Sequence, residues 1–215
     1  DDGITSTDAI KGTYLDNYKN LFDLYITDST CDGSELSAKT ADDSRNEFVN
    51  GDAVFYQNGT WEYGALSESW ADEDLAMIPI YCGAEGEENA GLCSGTENCW
   101  AVNKNASEAD INATLDFMKW LVTSDEGTKM MSEQFGEIPY KNAAPNENVF
   151  FQDAAKYIEE GKYVVDWAFN YTPNVNDWRA GLVAAMNQYD AGGSWDNVVT
   201  AFTAGWATQY KLANE

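Results

Sequence analysis

Histidine is missing from all 215 residues. Its absence takes away the usual general base, the commonest metal ligand and every triad built on an imidazole, and most hydrolase mechanisms go with it. Basic residues are scarce: 12 Lys and Arg stand against 37 Asp and Glu, a formal net charge of -25. A surface so negative repels phosphate backbones, and no Lys/Arg cluster is present to neutralise several phosphates in a row, so nucleic acid is not expected as a partner. No stretch approaches the roughly 18 consecutive apolar residues of a membrane-spanning helix. There is no C-x2-C pair and no D-x-[DN]-x-[DN]-G loop, so neither a metal site nor any other cofactor is expected. The opening Asp1-Asp2-Gly3-Ile4-Thr5-Ser6-Thr7 carries no basic segment and no apolar segment. An export signal or membrane anchor is therefore expected upstream of Asp1.

Aromatic residues are abundant instead, with 8 Trp, 12 Tyr and 9 Phe. That is far more large apolar surface than a disordered chain carries, so a globular chain of one large or two small domains is expected. The acidity reads as solubility in a salty extracellular medium. The four cysteines, Cys31, Cys82, Cys93 and Cys99, leave two readings open. The Cys82 to Cys93 spacing around a glycine-rich acidic stretch suits a loop-closing disulfide in an oxidising compartment, and small buried thiols suit the residue type equally.

Along the chain, Thr7 is a candidate cap for a helix with Ile10, Tyr14, Tyr18, Leu21, Phe22 and Tyr25 on one side. A second helix is expected through Asp42 to Phe48, ending at Asn50-Gly51, and Thr60 can cap a helix carrying Trp61, Tyr63 and Leu66. Ser107 with Asp110 resembles a capping box for a helix bearing Ile111, Leu115, Met118 and Val122, and Ser124 starts another that ends at Gly136. The tail reads as three helices, from Val149 to Glu160, from Asn176 to about Tyr189 and from Ser194 to about Lys211. Strands are expected at Ala53–Tyr56, Leu75–Tyr81, Cys99–Asn103 and Ile138–Tyr140, with Pro79 and Pro139 interrupting two of them.

One segment is distinctive. Phe48-Val49-Asn50-Gly51-Asp52-Ala53-Val54-Phe55-Tyr56-Gln57-Asn58-Gly59-Thr60-Trp61 resembles the F-x-x-G-x-A-h-x-x-x-G-x-W run (h, hydrophobic) of sugar-type extracellular solute-binding proteins, relatives of maltose-binding protein. In that family's order there follow a strand ending at proline (Met77-Ile78-Pro79) and a glycine loop (Gly91 to Gly95). Next come the strand from Trp100, the helix end Phe117-Met118-Lys119-Trp120-Leu121 and then Gly136-Glu137-Ile138-Pro139. The likeness runs in order over roughly residues 45–215, and the first 44 residues match only as a helix of the right type. Because such motifs lie in the carboxy-terminal half of family members, the chain resembles a carboxy-terminal fragment. The resemblance implies an α/β fold, periplasmic-binding-protein-like type II. A helix-rich carboxy-terminal lobe would be built from residues 1–78 and 140–215, with 79–139 a partial return into the amino-terminal lobe. It also implies an ABC-importer substrate-binding component at the cell surface or in the periplasm. Such a component takes a sugar or oligosaccharide, hands it to permease subunits, meets the membrane only through an anchor, and is not an enzyme.

A pyranose presents apolar C–H faces and hydroxyl edges, so its site needs flat aromatic platforms beside amides and carboxylates. Trp61 is the leading platform, flanked by Gln57, Asn58, Gly59 and Glu62. The alternative is a tryptophan that packs its helix onto the lobe. Trp178 is the second, because Asn170 to Trp178 resembles the loop and helix on which maltose-type binders place a stacking aromatic, with Asn170 and Tyr171 on the same wall. Core packing competes there, since Leu182, Met186 and Tyr189 continue its stripe. The loop Gly95-Thr96-Glu97 is a candidate contact from the other lobe. Trp100, Trp120, Trp195 and Trp206 read as core. The rival reading from another class is a glycoside hydrolase, which needs two carboxylates about 5–9.5 Å apart and no histidine. No recognisable motif singles out such a pair. A peptide- or polyamine-binding protein is the rival within the binder class.

Overall fold

The computed structural model describes residues 6–95, 99–135 and 143–215. The expectations for Thr96, Glu97, the helix end at Gly136, the strand at Ile138–Tyr140 and the crossing at Pro139 lie outside the described residues. Helix dominates what is described. In order it comprises α1 (Leu15–Thr27), α2 (Ala41–Val49), α3 (Tyr63–Leu66), α4 (Glu108–Thr123), α5 (Asp125–Met130), α6 (Val149–Glu159), α7 (Val175–Asp190) and α8 (Trp195–Asn214). The two strands are β1 (Ala90–Cys93) and β2 (Tyr163–Val165).

Local chemistry starts most of these helices. Thr40 takes the Asp43 N–H while the Asp43 carboxylate takes the Thr40 N–H, a complete capping box at the head of α2. Ser107, Ser124, Asn148 and Ser194 each accept a backbone N–H from the first turn of α4, α5, α6 and α8. Thr7 caps nothing: its hydroxyl goes to the Ala9 carbonyl and the first helix begins only at Leu15. Thr60 lies inside a 3-10 turn (Thr60–Glu62) whose preceding position is Gly59, so it does not cap either.

By contact density the chain forms two compact units. The first comprises Asp1–Tyr56, Tyr81–Glu88 and Trp167–Glu215. Its centre is the α7–α8 hairpin, turned by Gly192 in a left-handed conformation (φ 92°) that glycine adopts without strain. Val198 is fully sealed, and Trp206 and Ala185 are buried in the same unit. The second unit comprises Gln57–Ile80 and Asn89–Asp166. Leu66, Leu75, Ala90, Leu121, Met131, Phe150 and Phe151 form its buried apolar set, and the β1–β2 pair runs parallel through Ala90↔Tyr163 and Cys93↔Val165.

The expected strands at 53–56, 75–81 and 99–103 are irregular or extended chain, in no sheet. An apolar run becomes a strand only where a second backbone lies alongside, and among the described residues none pairs with these. Several of their side chains are accordingly exposed, with Val54 80%, Phe55 76%, Ile78 55% and Trp100 52% accessible, while Leu75 at the start of the second run is buried. Trp100 and Trp120 are therefore not core, whereas Trp206 is. Leu115, expected on the inner stripe of α4, is also exposed, and Leu121 is the buried residue of that helix. All four cysteines are free thiols, with Cys31 and Cys82 half-buried and Cys93 and Cys99 exposed.

Candidate functional site

The segment Gln57–Glu62 turns the chain into the short helical rise of α3. Asn58 Oδ1 accepts the Gly59 N–H at 2.9 Å, and the Glu62 N–H reaches back to the Gly59 carbonyl at 3.0 Å to close the 3-10 turn. Glu62 and Leu66, four positions apart on one helical face, point inward and are 7% and 3% exposed. That inward pair turns Trp61 outward, where its indole is 66% exposed. Gly59 is extended (φ -122°), so glycine is not needed there for its backbone angle. It is needed for space: a Cβ on Gly59 would lie 2.2 Å from two ring atoms of Trp61. The indole rests on the bare glycine backbone, which serves as its seat.

Gln57 and Asn58 are exposed beside this platform. Glu62 differs from the expectation of a hydroxyl-binding group at the surface, because its carboxylate side chain is buried. Tyr63 anchors the rise, with its hydroxyl donating to Asp72 Oδ1 at 2.9 Å and its ring meeting Phe150 edge-on at 5.7 Å. Holding that proton on Asp72 pushes the phenol's pKa above its ordinary value.

The same unit carries a cavity of about 360 Å³ lined by Tyr63, Ser132, Glu133, Pro145, Asn146, Glu147 and Asn148. Its rim is tied internally: Ser132 Oγ donates to the Pro145 carbonyl at 2.8 Å, Asn146 Nδ2 to the Ser132 carbonyl at 3.0 Å, and Asn146 Oδ1 accepts the Asn148 N–H at 2.9 Å. Apart from Tyr63, named on its helix, none of these residues was singled out from the sequence. The signal available in the sequence was the Pro145-Asn146-Glu147-Asn148 run, a turn-forming composition that also precedes an N-cap.

Trp178 sits differently. Its Nε1–H donates to the Phe202 carbonyl at 3.0 Å, its ring meets Phe202 and Trp206 edge-on at 5.3 and 5.6 Å, and Gly205 leaves room for it on α8. The α7–α8 hairpin thus occupies the polar handle and the ring edge that a ligand would use. Asn170 is exposed and Tyr171 half-buried, its carbonyl accepting the Ser6 hydroxyl. Gly95 is half-buried just beyond β1. Trp61 with its neighbours belongs to the second compact unit, and Trp178, Asn170 and Tyr171 to the first. Among the described residues no group of three acids or cysteines is arranged to hold a metal ion.

An outward indole on a glycine seat, bordered by exposed amides, offers a flat apolar face beside hydrogen-bonding groups. The family model described as bacterial extracellular solute-binding protein matches residues 8–159, and the chain belongs to that family. The match begins ahead of α1, in a region where the motif likeness saw only a helix, and stops at the end of α6, short of α7 and α8. No curated protein and no solved structure matches the chain. Family membership makes the chain part of an extracellular, solute-binding class of transport proteins that is generally non-enzymatic, and no described helix is long and apolar enough to cross a membrane.

Proposed function

We propose that this chain belongs to the substrate-binding component of an ABC importer that takes up a sugar or oligosaccharide and presents it to membrane permease subunits. The observation that carries the reading is the Trp61 platform, 66% exposed and seated on Gly59. A flat apolar face next to the Gln57 and Asn58 amides matches the two sides of a pyranose, its C–H face and its hydroxyl edge. Asn170, Tyr171 and the loop Gly95-Thr96-Glu97 are the further candidate hydrogen-bonding groups of this reading. Trp178 is the weaker half of the constellation, because its N–H already has a partner.

The fold that accompanies this reading is the two-lobed type II arrangement. Residues 1–78 and 140–215 would belong to one lobe and 79–139 to the other, with the protein at the cell surface or in the periplasm. Contact density cuts the chain elsewhere, after Tyr56, so the lobe assignment rests on the motif order. Ligand binding would favour a closed arrangement of lobes that the permease recognises.

Calorimetry with a panel of mono- and oligosaccharides, on the chain and its Trp61→Ala variant, tests the reading. The expected result is heat of binding for at least one sugar, lost or weakened about 2- to 13-fold in the variant by the ~0.5–1.5 kcal/mol of a ring contact. Binding unaffected by Trp61→Ala overturns the site, and release of reducing ends overturns the assignment in favour of hydrolysis.

A further inference from the structure

The Gln57–Glu62 segment carries a second chemistry that recognition does not use. The chain has two Asn-Gly steps, Asn50-Gly51 and Asn58-Gly59, and in both the asparagine is exposed. An asparagine side chain can react with the backbone that follows it when its carboxamide carbon meets the next amide nitrogen. A glycine at that next position, having no Cβ, leaves the approach open. The fold treats the two glycine nitrogens differently.

Asn58 Oδ1 accepts the N–H of Gly59 at 2.9 Å. The carboxamide is thus folded over the nitrogen that would attack it, with Cγ one covalent bond away from an atom already in contact. Holding the two groups together in this way turns a chance encounter into an internal reaction. Gly59 precedes the 3-10 turn (Thr60–Glu62), and the bond that closes this turn uses the Gly59 carbonyl and not its N–H. Asn50 is the opposite case. It ends α2 in a helical conformation (φ -78°, ψ -7°), and Gly51 gives its N–H to the Phe48 carbonyl at 3.0 Å. Attack on the Asn50 side chain therefore requires the last turn of α2 to open first.

We propose that Asn58 is a self-modifying site, at which the Gly59 nitrogen closes onto the Asn58 side chain and converts it to aspartate and isoaspartate. Hydroxide takes the Gly59 amide proton, the nitrogen bonds to Cγ, and the Cγ–Nδ2 bond breaks with release of ammonia. Water then opens the cyclic imide. Opening at the side-chain carbonyl leaves aspartate, and opening at the backbone carbonyl reroutes the chain through the side chain as isoaspartate. One water enters and one ammonia leaves, with no change of oxidation state. Either product places a new negative charge in the segment that carries Trp61, and isoaspartate also lengthens the backbone just ahead of the glycine on which the indole rests. The chemical step is independent of the sugar-binding reading, whereas its effect on affinity rests on that reading.

The test ages the full chain at mildly alkaline pH, native and in urea. Peptides containing Asn50 and Asn58 are followed by mass spectrometry, and isoaspartate is counted by enzymatic methyl transfer. In the native protein Asn58 is expected to convert several-fold faster than Asn50, and in urea, where neither nitrogen is held, the two rates should converge. Asn58→Gln is expected to remove most of the methyl acceptance of the aged native protein. Equal rates in the native chain, a faster Asn50, or aspartate without isoaspartate overturns the proposal. Calorimetry on the aged protein separates the modification from the site: weaker sugar binding supports both, and conversion with unchanged affinity supports the modification while removing Asn58 from the binding surface.

Discussion

At the scale of single residues, the structure separates two tryptophans that look alike in sequence. Trp61 is 66% exposed, while Trp178 is knitted into the α7–α8 hairpin by an N–H bond and two ring contacts. Trp178→Phe removes the bond to the Phe202 carbonyl and leaves that oxygen short of a donor. It is expected to cost about 1–3 kcal/mol in urea unfolding. Gly59→Ala is expected to behave in the opposite way. The new methyl group occupies the seat of the Trp61 ring, so sugar affinity measured by calorimetry should fall while the unfolding midpoint stays within about 0.5 kcal/mol of wild type, as for other surface changes. Phe151→Ala, at a side chain 2% exposed, is expected to cost about 3–5 kcal/mol.

At the scale of elements, helices follow rules that span four residues and strands follow rules that span the fold. The N-cap at Ser107, the starts at Ser124 and Ser194 and the glycine stop between α7 and α8 were all legible, because cap and capped N–H lie within one turn; the Asp110 carboxylate takes the Ser107 hydroxyl and not its backbone N–H, so the expected capping box is only half formed. Thr7 carried the same chemistry in its side chain but no helix followed, so residue type alone was insufficient. Thr40→Ala is accordingly expected to lower stability by about 0.5–2 kcal/mol and Thr7→Ala to leave it nearly unchanged, read side by side in denaturant melts. The strands at 53–56, 75–81 and 99–103 were illegible as non-strands because their apolar composition says nothing about whether a neighbour exists. The pair that does form among the described residues, β1 with β2, joins Ala90-Gly91-Leu92-Cys93 to Tyr163-Val164-Val165 across α4, α5 and α6, and only the second partner has a strand-forming composition. At the candidate site, Trp61 and its exposed amides were readable from the F-x-x-G-x-A-h-x-x-x-G-x-W run. The inward turn of Glu62 was not, because it depends on where Leu66 packs.

For the whole molecule, charge is the dominant quantity. With -25 formal charges on one chain, self-repulsion opposes compactness and is screened over about 10 Å at 0.1 M salt. The thermal midpoint is expected to rise as sodium chloride is raised from 20 to 300 mM, and a flat or falling midpoint in calorimetric scans would contradict this. The described ion pairs do not alter the expectation, since Lys129–Glu133 and Lys211–Glu215 are exposed helix pairs worth little.

The parallel pairing of Ala90 with Tyr163 has a temporal side. Its two halves are separated by about seventy positions of chain, a loop that must be drawn shut before the ladder returns any energy. On a ribosome or during export, the Ala90–Cys93 strip therefore emerges long before its mate and waits bare. Whatever escorts the nascent polypeptide has that interval in which to shield it.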